Sequence, residues 1–343
     1  MYGKPWQVRI ERLLNIVKMD KQSLKIVFFG TPDFAVESLR RLVEGGYNVV
    51  GVVTMPDKPA GRGHKLLHSP VKQYAEAHGL KLMQPVKLKD PEFVSELRSL
   101  GADLFIVIAF RMLPEVVWTM PPLGTFNLHA SLLPRYRGAA PINRAVMNGD
   151  TETGVTTFML KHEIDTGDIL RQEKVDINPE DNVGDVHDRL MYLGAGLTID
   201  TVDHIIAGDL KPISQEEILQ GEEATPAPKI FAEDCMIDWT RPAVEIHNQV
   251  RGLSPYPAAR SVISSEGTKP EIMKIFRTGI CTDCMNLRPG QIFISDDFRM
   301  FAGTGDGAAL EILEVLPAGK KRMTTDAYLR GARLNSAEFS MPE

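Results

Sequence analysis

The chain has 343 residues, of which 43% are hydrophobic, and this is enough for more than one buried core. Its 39 basic and 45 acidic side chains give a net charge of −6, so nucleic acid would have to bind at local basic patches. No apolar run reaches the length of a membrane span, and three cysteines cannot build a disulfide framework. We therefore expect a two-domain cytoplasmic protein with no membrane partner.

Residues 1–21 form an N-terminal extension before the first predicted strand. Apolar residues between positions 10 and 17 have helical spacing among basic residues, which is typical of a short amphipathic arm. A transit-like segment is the alternative, but Glu11 and the short length disfavour it. We expect a dispensable extension, with Met19 as an alternative start.

The first domain is expected to span 22–208, where strands and helices alternate. An apolar strand at 24–30 is followed by a helix that Asp33 can cap, and then by a strand at 48–54. This order predicts an α/β fold with a Rossmann-like, doubly wound and mostly parallel sheet. The first turn reads Gly-Thr-Pro instead of G-x-G-x-x-G, so a nicotinamide or flavin enzyme is not expected.

The same patterns predict the other elements of this domain. Helices are expected at 70–78, 90–100, 138–148 and 183–207. Further strands are expected at 80–84, 103–109, 155–160 and 169–177, with one more that ends at His129. The strand at 103–109 is apolar throughout, which is typical of a central strand that is buried on both faces.

The stretch 55–72 interrupts the alternation with a long loop. It carries several basic residues, including Lys58, Arg62 and Lys65, beside two glycines and two histidines. Loops of this length are usually functional or disordered. Its composition is equally compatible with a solvated charged loop and with a loop that contacts phosphate.

Asn127 and His129 are polar residues two positions apart in an apolar strand. Side chains two apart lie on the same face, and ligands bind at the carboxyl ends of strands in such sheets. An amide can stabilise an oxyanion and an imidazole can transfer a proton, so the pair is a candidate for acyl transfer. Asp165 lies in a turn near the same sheet end and could orient the imidazole. An ordinary polar strand end and an ordinary turn aspartate are the alternatives.

A second domain is expected at 231–343, after a linker at 209–230 that is rich in proline and glutamate. A helix at 242–253 precedes short strands separated by glycine and proline turns, which is typical of a small β-barrel. The barrel carries the basic run Lys320, Lys321 and Arg322.

Several segments together resemble the methionyl-tRNA formyltransferases, which belong to the folate-dependent formyltransferases. The matching segments are 29–35 (FGTPDFA), 59–63 (PAGRG), 69–72 (SPVK), 127–141 (NLHASLLPRYRGAAP), 165–168 (DTGD) and 317–321 (PAGKK). Each segment alone is weak, but their order and spacing make the set strong. The resemblance implies formyl transfer from 10-formyltetrahydrofolate to the α-amine of initiator methionyl-tRNA, and an OB-like C-terminal barrel that binds tRNA.

The resemblance also assigns roles to individual residues. It implies that the catalytic residues are Asn127, His129 and Asp165. It implies that the folate-contacting residues are Ser131, Leu132, Leu133 and Pro134, together with Phe110 and Met112 in the loop 110–114 that lines the pterin pocket. It implies that the tRNA-contacting residues are Lys58, Arg62, Lys65, Lys320, Lys321 and Arg322. We also expect a monomer.

The chemistry that the resemblance implies suits these residue types. The methionyl amine would attack the formyl carbon, and Asn127 and protonated His129 would stabilise the oxyanion. His129, oriented by Asp165, would move protons between the amine and the leaving folate nitrogen. No metal is needed, and the lone motif Cys281-x-x-Cys284 lacks two further zinc ligands.

One residue departs from the family pattern. Family members usually have a glycine where this chain has Arg111. An arginine restricts the backbone there, and its side chain could contact the folate or point to solvent.

Three other functions compete with this interpretation. A formyltransferase for an amino sugar or a ribonucleotide amine would keep the same polar residues, but it would not need two basic regions. A hydrolase that releases formate from the same donor is the second. A non-catalytic RNA-binding protein is the third, and the presence of all three polar groups disfavours it.

Overall fold

The computed structural model describes residues 19–60, 65–281, 286–332, 334 and 336–341. The amphipathic arm, Arg62 and Cys284 therefore lie outside the described residues. The chain divides into two compact units. The first contains the residues up to Gly138 together with 154–175 and 188–226, and the second contains 139–153, 176–187 and the residues from Ala227 onwards.

Strands and helices alternate in the first half of the chain as predicted. The strands are β1 (Lys25–Gly30), β2 (Asn48–Val53), β3 (Lys58–Ala60), β4 (Lys65–Leu67), β5 (Leu82–Met83), β6 (Leu104–Ile108), β7 (Thr125–His129), β8 (Arg137–Gly138), β9 (Glu152–Met159) and β10 (Ile169–Asp176). The helices are α1 (Asp33–Glu44), α2 (Pro70–Ala77), α3 (Pro91–Ser99), α4 (Glu115–Trp118), α5 (Pro141–Met147), α6 (Val183–Ala207) and α7 (Gln215–Leu219).

A seven-stranded sheet with the order β10-β9-β7-β6-β1-β2-β5 forms the centre of the first unit. The pairs β1–β2, β1–β6, β6–β7 and β2–β5 are parallel, and β7–β9 is antiparallel. Every residue of β6 is buried, because this strand lies between two parallel neighbours. The predicted Rossmann-like, mostly parallel sheet is confirmed.

Two local predictions differ from the structure. Pro32 is the N-cap of α1, and Asp33 is its first helical residue, with Oδ1 2.9 Å from the backbone nitrogen of Phe34. The prediction that Asp33 caps α1 is therefore wrong, although its charge still suits the positive end of the helix dipole. The loop at 55–72 contains the hairpin β3–β4, whose strands pair Lys58 with Leu67. Strands of three residues are too short to show an alternating pattern.

The second unit contains an antiparallel sheet with the order β14-β15-β16-β13-β12-β18, and β17 pairs with β16. The short strand β11 (Pro226–Ala227) lies where the chain passes from the first unit to the second. The strands of the sheet are β12 (Ala259–Ser264), β13 (Glu271–Cys281), β14 (Ile292–Ile294), β15 (Met300–Gly303), β16 (Ala309–Leu316), β17 (Met323–Thr324) and β18 (Glu338–Ser340). The helices are α8 (Ala243–Leu253) and α9 (Thr325–Leu329), with a 3-10 turn at Glu233–Cys235.

This sheet nearly closes into a barrel. The nitrogen of Phe339 in β18 donates to the oxygen of Gly290 at 2.7 Å, and the nitrogen of Ile292 in β14 donates to the oxygen of Ala337 at 3.1 Å. Trp239 and Phe339 stack within its core, with ring centroids 5.1 Å apart. The predicted OB-like barrel is confirmed. Among the helices of the described residues, none is both long and apolar enough to cross a membrane.

Candidate functional site

The end of β7 places Asn127 and His129 at one edge of the central sheet. Asn127 lies opposite Val107 of β6, and His129 lies opposite Thr156 of β9. The two side chains lie on the same face because they are two residues apart. His129 is only 6% exposed, so its hydrogen-bond partners come mainly from the protein. The structure thus brings the predicted pair together where β6 and β7 both end.

The tautomer of neutral His129 is set by a backbone group. Its Nε2 lies 2.8 Å from the carbonyl oxygen of Tyr136. A carbonyl only accepts hydrogen bonds, so Nε2 carries the proton. Nδ1 is then the nitrogen that can take up a further proton, and it lies 3.9 Å from Oδ2 of Asp165. The structure places Asp165 beside His129, as the sequence suggested, and it adds the Tyr136 carbonyl, which sequence reasoning missed.

Asp165 is held in an unusual conformation in the turn after β9. Its φ is +55°, in the left-handed region, which aspartate tolerates better than most residues. Oδ2 accepts a hydrogen bond from the backbone nitrogen of Gly138 at 3.0 Å, and the backbone oxygen accepts one from Nε2 of Gln215 at 2.9 Å. The carboxylate therefore faces His129 with one bond to its own Oδ2 and another to the backbone oxygen of the same residue.

The segment 131–134, which was expected to contact folate, is anchored to β9 through Thr156. The Thr156 hydroxyl donates to the oxygen of Ser131 at 2.6 Å and accepts from the nitrogen of Leu133 at 3.1 Å. Gln172 donates to the oxygen of Leu133 at 2.8 Å. The Leu133 side chain is buried in a cluster with Phe158 and Ile169, so this leucine can meet a ligand only through its backbone.

The loop 110–114 begins beside the same edge, because β6 ends at Ile108, opposite Leu128. The Phe110 ring meets Phe29 edge-on at 5.7 Å, while Met112 is 71% exposed. These two residues, named together as pterin contacts, therefore have different environments. Met112 is free to contact a ligand, whereas Phe110 packs partly into the core.

Arg111 is tied to backbone groups of a neighbouring segment. Its guanidinium donates to the backbone oxygen of Val86 at 2.8 Å and to that of Pro85. Burial lowers the pKa of Arg111. The side chain therefore joins the loop 110–114 to the segment after β5 instead of extending freely into solvent. The sequence could not predict this contact, because every residue has a backbone carbonyl and nothing in the sequence marks the two that bind Arg111.

The hairpin β3–β4 rises from a charged base. Asp57 Oδ2 lies 2.5 Å from Lys72 Nζ and 3.0 Å from His68 Nδ1, and Oδ1 accepts from Gln84 at 3.0 Å. These bonds, with that to Lys72 the strongest influence, hold the pKa of Asp57 well below its usual range. Lys58 is exposed at the start of β3. The base is therefore held by several bonds, and Lys58 beside it is exposed to solvent.

The basic run of the barrel is exposed on the second unit. Lys320 and Lys321 are exposed, and Lys320 Nζ lies 5.6 Å from the centre of the Tyr328 ring. Arg322 donates to both carboxylate oxygens of Glu314, at 2.6 and 2.7 Å. Arg322 thus already has an anionic partner, whereas the two lysines present their charge to solvent.

The site fits a polar substrate better than a metal ion. The amide oxygen of Asn127 is buried and has no hydrogen-bond partner among the described residues. A buried polar atom of this kind needs a partner, which a bound amine or amide can supply. Within the described ranges, no cluster of three or more His, Cys, Asp or Glu side chains could hold a metal.

Comparison with known proteins agrees with this geometry. A family model described as "Formyl transferase" matches residues 24–202, and one described as "Formyl transferase, C-terminal domain" matches residues 229–333. The chain is 57% identical to the methionyl-tRNA formyltransferase of Bacteroides fragilis over 93% of this chain and 98% of that protein. It is 49% identical to that of Porphyromonas gingivalis, with the same two shares.

Solved structures share the fold. An N-formyltransferase from Helicobacter canadensis, in complex with folinic acid and dTDP-3-aminofucose, has a TM-score of 0.63 at 20% identity, over 84% of this chain and 98% of that chain. HypX from Aquifex aeolicus, in complex with tetrahydrofolic acid, has a TM-score of 0.60 at 18% identity, over 90% of this chain and 47% of that chain. At such identities the likeness extends to the fold alone.

Proposed function

Because the chain belongs to the methionyl-tRNA formyltransferase family, it transfers a formyl group from 10-formyltetrahydrofolate to the α-amine of initiator methionyl-tRNA, and we propose that Asn127, His129 and Asp165 carry out this transfer. One observation carries the proposal: an amide and an imidazole share one face at the end of β7, with a carboxylate 3.9 Å from the free imidazole nitrogen. These groups match the needs of acyl transfer to an amine.

In this proposal His129 transfers a proton from the attacking amine to the leaving folate nitrogen. The attacking amine must lose a proton as its nitrogen bonds to the formyl carbon, and the folate nitrogen must gain one as its bond to that carbon breaks. Nδ1 of His129 can accept the first proton and return it, because Nε2 is held by the Tyr136 carbonyl. Asp165 Oδ2 lies 3.9 Å from Nδ1, where a carboxylate attracts the positive charge that the imidazole takes up with the proton.

Asn127 stabilises negative charge on the formyl oxygen. Its amide N–H groups can donate to that oxygen, while its buried carbonyl oxygen can accept from the attacking amine. Loss of one such donor typically lowers kcat by about 100- to 1,000-fold. The products are N-formylmethionyl-tRNA and tetrahydrofolate.

We propose that 10-formyltetrahydrofolate binds against the segment 131–134 and the loop 110–114. Both begin at the sheet edge that carries His129, and both are tied to the sheet or to neighbouring backbone. Ser131, Leu132, Leu133, Pro134, Phe110 and Met112 remain the proposed contacts. Leu133 acts through its backbone in this proposal, and Met112 through its exposed side chain.

We propose that the hairpin and the basic run contact the tRNA. The proposed contacts are Lys58, Arg62, Lys65, Lys320, Lys321 and Arg322. Phosphate contacts add salt-sensitive affinity, so their loss should flatten the dependence of tRNA binding on salt. Arg322 should contribute least, because Glu314 already binds its guanidinium.

The remaining assignments follow from the same function. We propose a catalytic domain at 22–208, a linker at 209–230 and a tRNA-binding domain at 231–343, preceded by the extension 1–21. We also propose a monomer that acts in the cytoplasm, where initiator tRNA is used. A formyltransferase for another amine and a formate-releasing hydrolase are less supported, because the curated relatives at 49–57% identity are methionyl-tRNA formyltransferases.

The test is formyl transfer from 10-formyltetrahydrofolate to charged initiator methionyl-tRNA, with uncharged tRNA and free methionine as controls. We expect transfer to the charged tRNA alone. We expect Asn127→Ala and His129→Ala to abolish transfer while remaining folded. His78→Ala is the matched control, because its ring also bonds to a backbone carbonyl, that of Tyr74 at 2.9 Å, in an exposed helix end. Near wild-type transfer by a site variant would remove that residue from the mechanism.

A further inference from the structure

Gln215 is the first residue of α7, within the segment expected to be a linker, yet it is only 1% exposed. Its Nε2 donates to the backbone oxygens of Asp165 and Gly167, at 2.9 and 2.8 Å. Its Oε1 accepts from Nε and Nη2 of Arg137, at 3.0 and 2.7 Å. One buried amide therefore joins the Asp165 turn to the segment that contains Arg137.

Both ends of this amide reach groups that hold the Asp165 carboxylate. On the donor side, Gln215 binds the turn in which Asp165 has a left-handed φ of +55°. On the acceptor side, Arg137 is followed directly by Gly138, whose nitrogen donates to Asp165 Oδ2 at 3.0 Å. Gln215 thus constrains both the backbone of Asp165 and the donor that aims its carboxylate.

The turn cannot move closer to β9 to find other donors for the two carbonyl oxygens that Gln215 binds. A Cβ atom on Gly167 would lie 1.5 Å from the backbone oxygen of Met159, so the turn packs directly against β9. Loss of the Gln215 donors would leave two carbonyls without their partner, and in a buried site water cannot easily take its place. The turn would then shift, and Asp165 would move with it.

We propose that Gln215 is a positioning residue for formyl transfer, which sets the place of Asp165 relative to His129 through the two carbonyl oxygens that it binds. This inference rests on the proposed role of Asp165. The carboxylate and Nδ1 are 3.9 Å apart, and their attraction falls as this distance grows. Displacement of a catalytic group by about 1 Å can cost about 100-fold in rate.

Gln215→Glu is the first test variant. It keeps the shape and the acceptor for Arg137, but it removes both N–H donors and places a carboxylate against two carbonyl oxygens. Gln215→Met is the second variant and removes the donors without adding charge. We expect kcat to fall about 10- to 100-fold in both, with KM for each substrate changed by less than about twofold.

Gln249→Leu is the matched control. Gln249 is a buried glutamine of α8 in the second unit, and its Nε2 also donates to two backbone oxygens, those of Asp234 and Met236 at 3.0 and 2.9 Å. Its loss should lower the melting temperature as much as the Gln215 variants do, with kcat unchanged. If all three variants lower the melting temperature and none lowers kcat, Gln215 is structural only and the proposal is overturned.

A double-mutant cycle separates this inference from the proposed function. If Gln215 acts through Asp165, Gln215→Glu should cost less than about twofold in an Asp165→Asn background, measured as single-turnover rate per folded enzyme. If Gln215→Glu lowers the rate by the same factor in the wild-type and the Asp165→Asn backgrounds, Gln215 acts independently of Asp165 and the inference is overturned. If Asp165→Asn alone keeps the wild-type rate, the catalytic role of Asp165 falls, and the positioning role falls with it.

Discussion

Thr156→Val should detach the segment 131–134 from β9 without changing the shape of the core. Thr156 is fully buried, and valine has nearly the same shape without the hydroxyl. The variant removes the donor to the Ser131 oxygen and the acceptor for the Leu133 nitrogen. Each buried backbone group left without a partner costs about 1–3 kcal/mol, so the free energy of unfolding should fall by about 2–6 kcal/mol.

Thr157→Val is the neighbouring control. Thr157 is equally buried on the opposite face of β9, where its hydroxyl lies 2.8 Å from that of Thr201. Thr201 keeps its bond to the oxygen of Leu197 at 2.7 Å, so this substitution should cost only about 0.5–1.5 kcal/mol.

Urea unfolding and steady-state kinetics test the pair together. If the segment 131–134 contacts folate, Thr156→Val should raise KM for 10-formyltetrahydrofolate about tenfold, whereas Thr157→Val should leave it unchanged, and KM for tRNA should stay constant in both. An equal loss of stability in the two variants, with an unchanged KM for the folate donor, would refute both the anchoring role of Thr156 and the folate contact.

Three further substitutions test other parts of the chain. Arg111→Gly removes the guanidinium that holds the loop 110–114, and we expect steady-state kinetics to show KM for the folate donor raised about three- to tenfold with KM for tRNA unchanged. Lys72→Met breaks the ion pair at the base of the hairpin and should raise KM for tRNA alone, whereas the exposed ion pair broken in Lys81→Met should have no effect. Burial and the nearby Arg251 guanidinium lower the pKa of His247 from its usual 6.5, so the folded state binds this proton less readily than the unfolded state does. The free energy of unfolding should therefore fall as pH drops below about 6.5. In urea unfolding between about pH 7.5 and about pH 5.5, His247→Asn should lose this pH dependence.

The fold was predictable because the amino-acid composition of each strand indicates whether its faces are buried or exposed. The strand β6 is apolar throughout, and a strand of this kind is stable only where both faces are covered. The short strands of the barrel are separated by glycine and proline turns, which indicated a closed antiparallel sheet. The hairpin β3–β4 was missed because three-residue strands carry no period, and the charge of its loop dominates the composition.

The proximity of the proposed reactive groups was predictable because side-chain spacing determines which face of a strand they share. Asn127 and His129 are two residues apart, so their proximity follows from strand geometry alone. The groups that orient them were not predictable in this way. The tautomer of His129 depends on the carbonyl of Tyr136, and the loop 110–114 is held by the carbonyls of Pro85 and Val86. Every residue has a carbonyl, so only the folded backbone shows which one is used.

Gln215 shows why the composition of a segment is a poor guide to the role of one residue in it. The segment 209–230 has three prolines and several glutamates, which is typical of an exposed linker. Buried carbonyls nevertheless need donors, and a glutamine amide can donate to one loop while it accepts from another. A single buried side chain is enough to constrain the Asp165 turn, and composition averages that residue with its exposed neighbours. Among the residues of this segment, Gln215 is therefore the one whose substitution we expect to lower kcat through the Asp165 turn.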